Sequence, residues 1–179
     1  PAGLGVNAPL EIHRLMRPLE GAPRLKAIFD PRPDYARATV DVALTSEGLE
    51  VLGGAQRLFL HSNVAATTIA DGRSFRVDRP CYFVFSAGRP PDVHDASAVE
   101  RALELTRAGW RAWSKSCALP TFRPEAVLRS ALCLKLHQYL DTGAIIAAAT
   151  TSIPEALDSQ RTWDYRFCWI RDSAFTLDA

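Results

Sequence analysis

The chain has 179 residues, of which 47% are hydrophobic and 23% charged, and its formal net charge is +1. This is the composition of a globular protein, and it excludes wholesale disorder. The near-neutral charge gives no electrostatic basis for binding nucleic acid or an anionic membrane. The sequence has no apolar run approaching the ~20 residues that span a bilayer, and its start does not resemble a secretory signal.

The spacing of the cysteines indicates a reduced protein. The four are Cys81, Cys117, Cys133 and Cys168, and no two of them form a C-x-x-C pair. This pattern fits neither a zinc site nor a disulfide framework. Because reduced thiols are typical of the cytosol, we expect a cytoplasmic protein with no metal site and no cofactor.

Residues 10 to 87 are predicted to form short strands separated by turns. The turn residues include Ser46–Gly48 and Asp71-Gly72, and no helical pattern lies between the strands, which argues against βαβ units. Strands at this spacing are typical of antiparallel sheets in a sandwich. The predicted strands are residues 10–16, 25–29, 38–44, 56–60, 67–69, 74–77 and 81–85.

Helices are predicted beyond Gly88–Pro91. Asp95 is a plausible N-cap for the first, and a second opens near Pro124 and ends at Asp141–Gly143, with Gly143 as its C-cap. Residues 144–152 follow as either a buried connector or backbone that lines a pocket, and a third helix is expected from about Cys168. The first helix carries an apolar stripe, interpreted as core rather than a ligand platform: Val99, Leu103, Thr106, Trp110 and Trp113.

Residues 162–178 combine aromatic rings with arginines and carboxylates, which is the chemistry of a sugar pocket. Flat rings cover the apolar faces of a pyranose, and planar Arg and Asp groups form paired hydrogen bonds to its hydroxyls. If residues 165–178 form one helix, Tyr165, Trp169 and Asp172 share a face. In an alternative that stays open, Asp164 caps the helix, the rings pack in a core and Arg171 pairs with a carboxylate.

The segment from Trp163 to Asp172 also resembles a known family. Its sequence, WDYRFCWIRD, is similar to the W-D-Y-R-[YF]-C-W-[IL]-R-D motif of glycoside hydrolase family 15, which includes glucoamylase-like enzymes and trehalases. The resemblance extends over most of the chain, because weaker similarities follow in family order. They lie at residues 29–35, 111–113, 129–136, 142–145 and 150–155.

This resemblance implies a mixed fold, in which a partial antiparallel β-sandwich is followed by α-helices that begin an (α/α)6 barrel. On that basis residues 1–92 are expected to belong to the N-terminal sandwich domain and residues 93–141 to form linker helices. Residues 142–179 would be the truncated start of the catalytic barrel. The chain is accordingly expected to be a fragment of a longer enzyme.

The resemblance further implies an inverting hydrolase of α-linked glucosides in carbohydrate metabolism, acting on maltodextrin, dextran or trehalose. Family roles carry over to four positions. Arg171 and Asp172 would bind glucose hydroxyls in the innermost subsite, and Trp169 would lie beside that pocket. Tyr165 would face the ring oxygen, where cationic charge develops in the transition state.

The resemblance places no catalytic residue in this chain. Inversion requires two carboxyl groups roughly 6.5–9.5 Å apart, and in the family both are glutamates on later barrel segments. Glu155, Asp158 and Asp164 match loop and motif positions instead. The chain alone is therefore expected to be inactive.

A function of another class stays open, that of a non-catalytic carbohydrate-binding or structural β-sandwich module. Such a binding module is expected to expose aromatic side chains on its strands. The predicted sheet region has no tryptophan, and most of its aromatic residues follow a core-like alternation. No nucleic-acid or membrane partner is expected, and an oligomeric state is left open.

Overall fold

The computed structural model describes residues 9–150, 154 and 156–178. The described residues form two compact units, 9–106 and 107–178. Most of the family-like stretch at 150–155, Glu155 included, lies outside them, as do residues 1–8 and 179. Across the described ranges, no helix has both the length and the apolarity to cross a membrane. The domain bounds 1–92, 93–141 and 142–179 stay predictions.

The first unit is built on a five-stranded antiparallel sheet. A second, two-stranded sheet pairs β2 (Arg24–Lys26) with β6 (Ser74–Arg76), also antiparallel. The antiparallel arrangement predicted from the strand spacing is confirmed, and it is consistent with part of a β-sandwich. The strands of the large sheet, in spatial order, are β1 (Glu11–Met16), β7 (Cys81–Ala87), β5 (Leu58–Ser62), β4 (Gly48–Leu52) and β3 (Asp41–Thr45).

Side chains alternate between the two faces of the large sheet along each strand, and both faces carry apolar residues. On one face Tyr82 and Val84 form a buried cluster with Val93 and Val99. The other face carries Phe83 and Phe85, which pack against a second buried cluster of Leu49, Leu60 and Ile69. Burying an apolar side chain of this size contributes about 1.5–3 kcal/mol, so these two clusters are the main source of the unit's stability.

One segment predicted as a strand is helical. Thr67–Ile69 lies within α1 (Ala66–Ala70), where Ile69 packs into the second cluster. The turn predicted at Asp71-Gly72 is the end of this helix: the N–H groups of Gly72 and Arg73 donate to the carbonyls of Ile69 and Thr68. This is a Schellman motif, and Gly72 adopts the positive φ of 60° that it requires. Burial of Ile69 and this cap outweigh the β-propensity of Thr67–Ile69.

A strand that the sequence analysis does not predict follows directly on β3. Ser46 and Glu47 form the expected turn, but Gly48, assigned to that turn, is the first residue of β4. Thr45 pairs with Gly48, so the hairpin loop has only two residues. The alternation of Leu49 and Val51 with Glu50 was too short to be distinguished from a turn.

The predicted helices are present, with one corrected end. They are α2 (Ala96–Ser114), α3 (Pro124–Leu136) and α4 (Ile170–Asp178). The N-cap at Asp95 is confirmed, since its Oδ1 accepts a hydrogen bond from the Ala98 N–H at 2.7 Å. The expected end of α3 at Gly143 is wrong.

The helix α3 stops at Leu136 because the chain then reverses. An isolated bridge joins Gln138 to Ile145, and the Gly143 N–H donates to the Tyr139 carbonyl at 2.8 Å. Gly143 has a φ of 74°, so it supports this reversal rather than capping the helix. The stripe tryptophans Trp110 and Trp113 are half-buried, with their rings in an edge-on contact at 6.1 Å.

Candidate functional site

Asp164 shapes the turn that precedes α4. Its Oδ1 accepts the N–H of Arg166 at 3.0 Å, and its two oxygens accept the Arg166 Nε and Nη2 groups at 3.0 and 2.8 Å. These side-chain and backbone hydrogen bonds, in that order, lower the pKa of the Asp164 carboxyl. Asp164 therefore stabilises a local turn and does not cap a helix, which corrects that part of the alternative. Its expectation that Arg171 pairs with a carboxylate is confirmed by the Arg171–Asp172 ion pair.

The residues before α4 are attached to the connector by main-chain hydrogen bonds. The N–H of Ala147 donates to the Phe167 carbonyl at 3.1 Å, and the N–H of Ala148 donates to the Tyr165 carbonyl at 2.9 Å. Both alanines are half-buried. The small side chains of this connector let its backbone lie against the motif. A helix from residue 165, the condition for placing Tyr165 on one face with Trp169 and Asp172, is wrong.

Helix α4 is anchored through its polar side. Ser173 Oγ donates to the carbonyl of Ile145 at 3.3 Å, and Ile145 is buried. Cys168 Sγ lies 3.4 Å from Ser173 Oγ. That hydrogen bond, followed by one from the backbone of Ile145, lowers the pKa of the Cys168 thiol.

The apolar side of α4 faces outward. Ile170 is 88% exposed, Phe175 71% and Leu177 78%, whereas Asp172, Ser173 and Thr176 are half-buried. This is the reverse of an ordinary surface helix, in which the apolar stripe packs inward. The described residues of this unit therefore do not cover the apolar side of α4.

Three of the four predicted site residues lie together at the start of α4. Arg171 Cζ is 5.6 Å from the centre of the Trp169 ring, and Arg171 Nη2 is 3.7 Å from Asp172 Oδ2. The Asp172 side chain is 37% exposed, yet its Oδ2 is buried and accepts no hydrogen bond from any described residue. A planar cation, an aromatic ring and a partly exposed carboxylate thus share one small surface.

Tyr165, the fourth predicted residue, lies in the turn before α4 and is half-buried. In the described structure no hydrogen bond, ion pair or ring contact joins its side chain to Trp169, Arg171 or Asp172. The supporting pair that sequence reasoning missed is Asp164 with Arg166. The Asp-x-Arg spacing in the motif was a usable signal, because an Asx turn satisfies the backbone at that spacing.

The described residues contain no group of three or more His, Cys, Asp and Glu side chains that could hold a metal ion. The arrangement at the start of α4 instead has groups that hydrogen-bond and stack. Such groups recognise a neutral, hydroxyl-rich ligand.

Two family models and several known proteins are similar to this chain. The family model of Glycosyl hydrolases family 15 matches residues 121–179, and a model described as Trehalase-like, N-terminal matches residues 4–78. A trehalase of Thermoplasma acidophilum is 29% identical over 178 residues, covering 94% of this chain and 30% of that relative. No solved structure has significant similarity to the chain.

Mycobacterial relatives match shorter segments more closely. A trehalase of Mycobacterium tuberculosis is 45% identical over 89 residues, covering 49% of this chain and 13% of that relative. A trehalase of Mycolicibacterium smegmatis is 49% identical over 73 residues, covering 40% of this chain and 11% of that relative. The chain thus spans less than a third of the length of these curated relatives. Its two matched segments are similar to trehalase-like sequences of glycoside hydrolase family 15, and they support the family that the terminal motif predicts.

Proposed function

We propose that Trp169, Arg171 and Asp172 form part of the glucose-binding site of an inverting trehalase. The observation that carries this proposal is the grouping of a partly exposed ring, an exposed guanidinium and a partly exposed carboxylate at the start of α4. A sugar hydroxyl would donate to the exposed part of the Asp172 carboxylate, and a hydrogen bond to a charged group contributes about 1.5–3 kcal/mol. The exposed guanidinium of Arg171, 3.7 Å away, would donate to a neighbouring hydroxyl of the same sugar.

Each of the four residues has a distinct role in this proposal. The Trp169 ring, 38% exposed, stacks on an apolar face of the glucose. Arg171 and Asp172 select the orientation of its hydroxyls, because both groups are planar and directional. Tyr165 approaches the ring oxygen only if the turn at residues 165–167 moves toward α4 on binding, since no direct contact joins its side chain to the other three.

We propose trehalose as the substrate class, ahead of maltodextrin or dextran. The support is that the similar proteins from Thermoplasma and two mycobacterial species are trehalases. We also propose, as the family resemblance implies, that residues 93–141 are linker helices and that residues 142–179 begin an (α/α)6 barrel.

We further propose that this chain does not hydrolyse trehalose alone. A general acid must hold a proton near neutral pH, which requires a raised carboxyl pKa. Asp164 has the opposite property, because Arg166 lowers its pKa. Asp158 is exposed to solvent and is not part of the group formed by Trp169, Arg171 and Asp172.

One experiment tests both statements. Saturation-transfer NMR on the purified chain should detect millimolar trehalose through the Trp169 ring, and Asp172→Ala should weaken that binding about tenfold or more, the usual effect of losing a charged hydrogen-bond partner. Glucose release measured in the same sample should not exceed that of the Asp172→Ala protein.

The matched control is Asp178→Ala, which removes an exposed carboxylate from the same helix. It should leave the trehalose signal unchanged. Equal loss in both variants would reject the glucose site, and glucose release well above the Asp172→Ala level would reject the proposed inactivity.

A further inference from the structure

The first unit contains an apolar cavity separate from the proposed sugar site. It has a volume of about 430 Å³, within the range of roughly 300–1,000 Å³ that small-molecule pockets occupy. Phe83 and Phe85 of β7 form one wall, and Phe75 of β6 lies opposite, with ring centres of Phe75 and Phe83 6.3 Å apart. The cavity therefore lies between the large and the small sheet.

Two cations interrupt this apolar lining. Arg14 on β1 and Lys26 on β2 both line the cavity, and both are exposed. No acidic side chain is among the lining residues, and neither cation has an ion pair or hydrogen bond with another described residue. The positive charge at the solvent-facing part of the cavity is thus uncompensated.

The position of Arg14 follows from the strand register. Arg14 pairs with Phe83, and Ile12 pairs with Phe85, so Arg14 lies in an otherwise apolar row on the inner face of the sheet. An arginine at this position makes fewer apolar contacts than an aliphatic side chain would. A ligand with an apolar part and a negative charge would contact the phenylalanine rings and pair with this arginine.

We propose that this cavity binds a single-chain amphiphile with an anionic head group, of the fatty-acid class. The alkyl chain occupies the space lined by the phenylalanines, and the carboxylate pairs with Arg14 and Lys26. Charge complementarity favours an anionic head group, and the apolar walls favour a hydrocarbon body.

Calorimetry on the purified chain with three ten-carbon probes below their micellar concentrations tests this proposal. Decanoate should bind saturably at one site, about tenfold more tightly than decanol or decyltrimethylammonium, because exposed ion pairs each contribute modestly. Shortening decanoate to octanoate should weaken binding about fourfold for each methylene removed.

The charge-reversed protein Arg14→Glu/Lys26→Glu should reverse the preference, binding decyltrimethylammonium more tightly than decanoate. Binding of decyltrimethylammonium by this variant would also show that its cavity is still formed, so that weaker decanoate binding is not a result of unfolding. The control Arg79→Glu changes an exposed arginine of the same unit that does not line the cavity, and it should keep the original preference. Affinity that ignores chain length or head-group charge, or an equal change in Arg79→Glu, would overturn the proposal.

Discussion

Gly48 is a position where a single missing methyl group determines a strand pairing. It starts β4 with a φ of 126°, and an added Cβ would clash with the backbone carbonyl oxygen of Leu60 on the adjacent β5. Only glycine tolerates both this positive φ and this close approach. The residue thus fixes the β4–β5 contact that buries Leu49 and Leu60.

We expect Gly48→Ala to reduce the free energy of unfolding by more than about 2 kcal/mol, since backbone strain of about 1–3 kcal/mol adds to the steric clash. Chemical denaturation followed by circular dichroism would measure the loss. Gly88→Ala is the matched control, because Gly88 has a φ of 87° with open space around its Cβ position. Equal losses in the two proteins would show that the Leu60 contact contributes nothing.

Among the elements, α2 depends on its N-terminal cap. Asp95 accepts hydrogen bonds from Ser97 Oγ at 2.6 Å and from the Ala98 N–H at 2.7 Å, and these lower the pKa of its carboxyl. A carboxylate at this position also interacts favourably with the helix dipole. The beginning of α2 is thereby fixed beside Val93 and Val99 of the first cluster.

This cap predicts a pH dependence. Because the folded pKa of Asp95 is lowered, the unfolded state binds more protons near pH 3.8, the ordinary value of the group. The stabilisation is therefore complete above that pH and is lost as the pH falls through the lower folded pKa. The difference in urea midpoint between the native protein and Asp95→Asn should therefore be smaller at pH 3 than at pH 7.

Two comparisons make the origin of that effect clear. Asparagine is a good cap without a charge, so Asp95→Asn should keep most of the stability at pH 7, whereas Asp95→Ala should lose more. An Asp95→Asn protein as unstable as Asp95→Ala at pH 7, or a constant gap between native and Asn proteins across pH, would contradict the interpretation.

The sequence predicts some of the strands and helices and not others. Strands β1, β5 and β7 were predictable because their alternation or apolar runs are long, and α2 because Asp95 precedes a periodic stripe. Thr67–Ile69 was mispredicted since the burial of Ile69 is a tertiary effect that local β-propensity does not contain.

The terminal motif follows the same rule. Its residue types indicated a sugar site, and the structure groups Trp169, Arg171 and Asp172. Their placement on one helix with Tyr165 failed, because the Asp164–Arg166 hydrogen bonds hold a turn that periodicity does not predict. The residue types predict the kind of ligand, whereas the arrangement of the side chains depends on the Asp164–Arg166 pair.

For the whole molecule, the two units differ in how much core they contain. The unit of residues 9–106 holds both buried clusters, whereas Ile145 is the one buried apolar side chain among the described residues of 107–178. Few buried contacts mean low local stability. The second unit also exposes Phe122, Tyr139, Phe175 and Leu177, each at 59% or more.

We therefore expect unequal hydrogen exchange in the purified chain. Amides of β5 and β7 should be protected the longest, and those of α3 and α4 should exchange at least tenfold faster. Mass spectrometry of peptic fragments would measure both in one sample. Equal protection of the two units would mean that the half-buried residues of the second unit stabilise it more than their exposure indicates.

The reversed polarity of α4 separates two kinds of mutational change. Asp172, Ser173 and Thr176 are half-buried, whereas Ile170, Phe175 and Leu177 of the same helix are exposed. Substitutions on the outward side can change what the helix associates with while leaving the hydroxyl-binding groups in place. Affinity for a sugar and attachment to further protein can thus evolve, or be engineered, independently within nine residues.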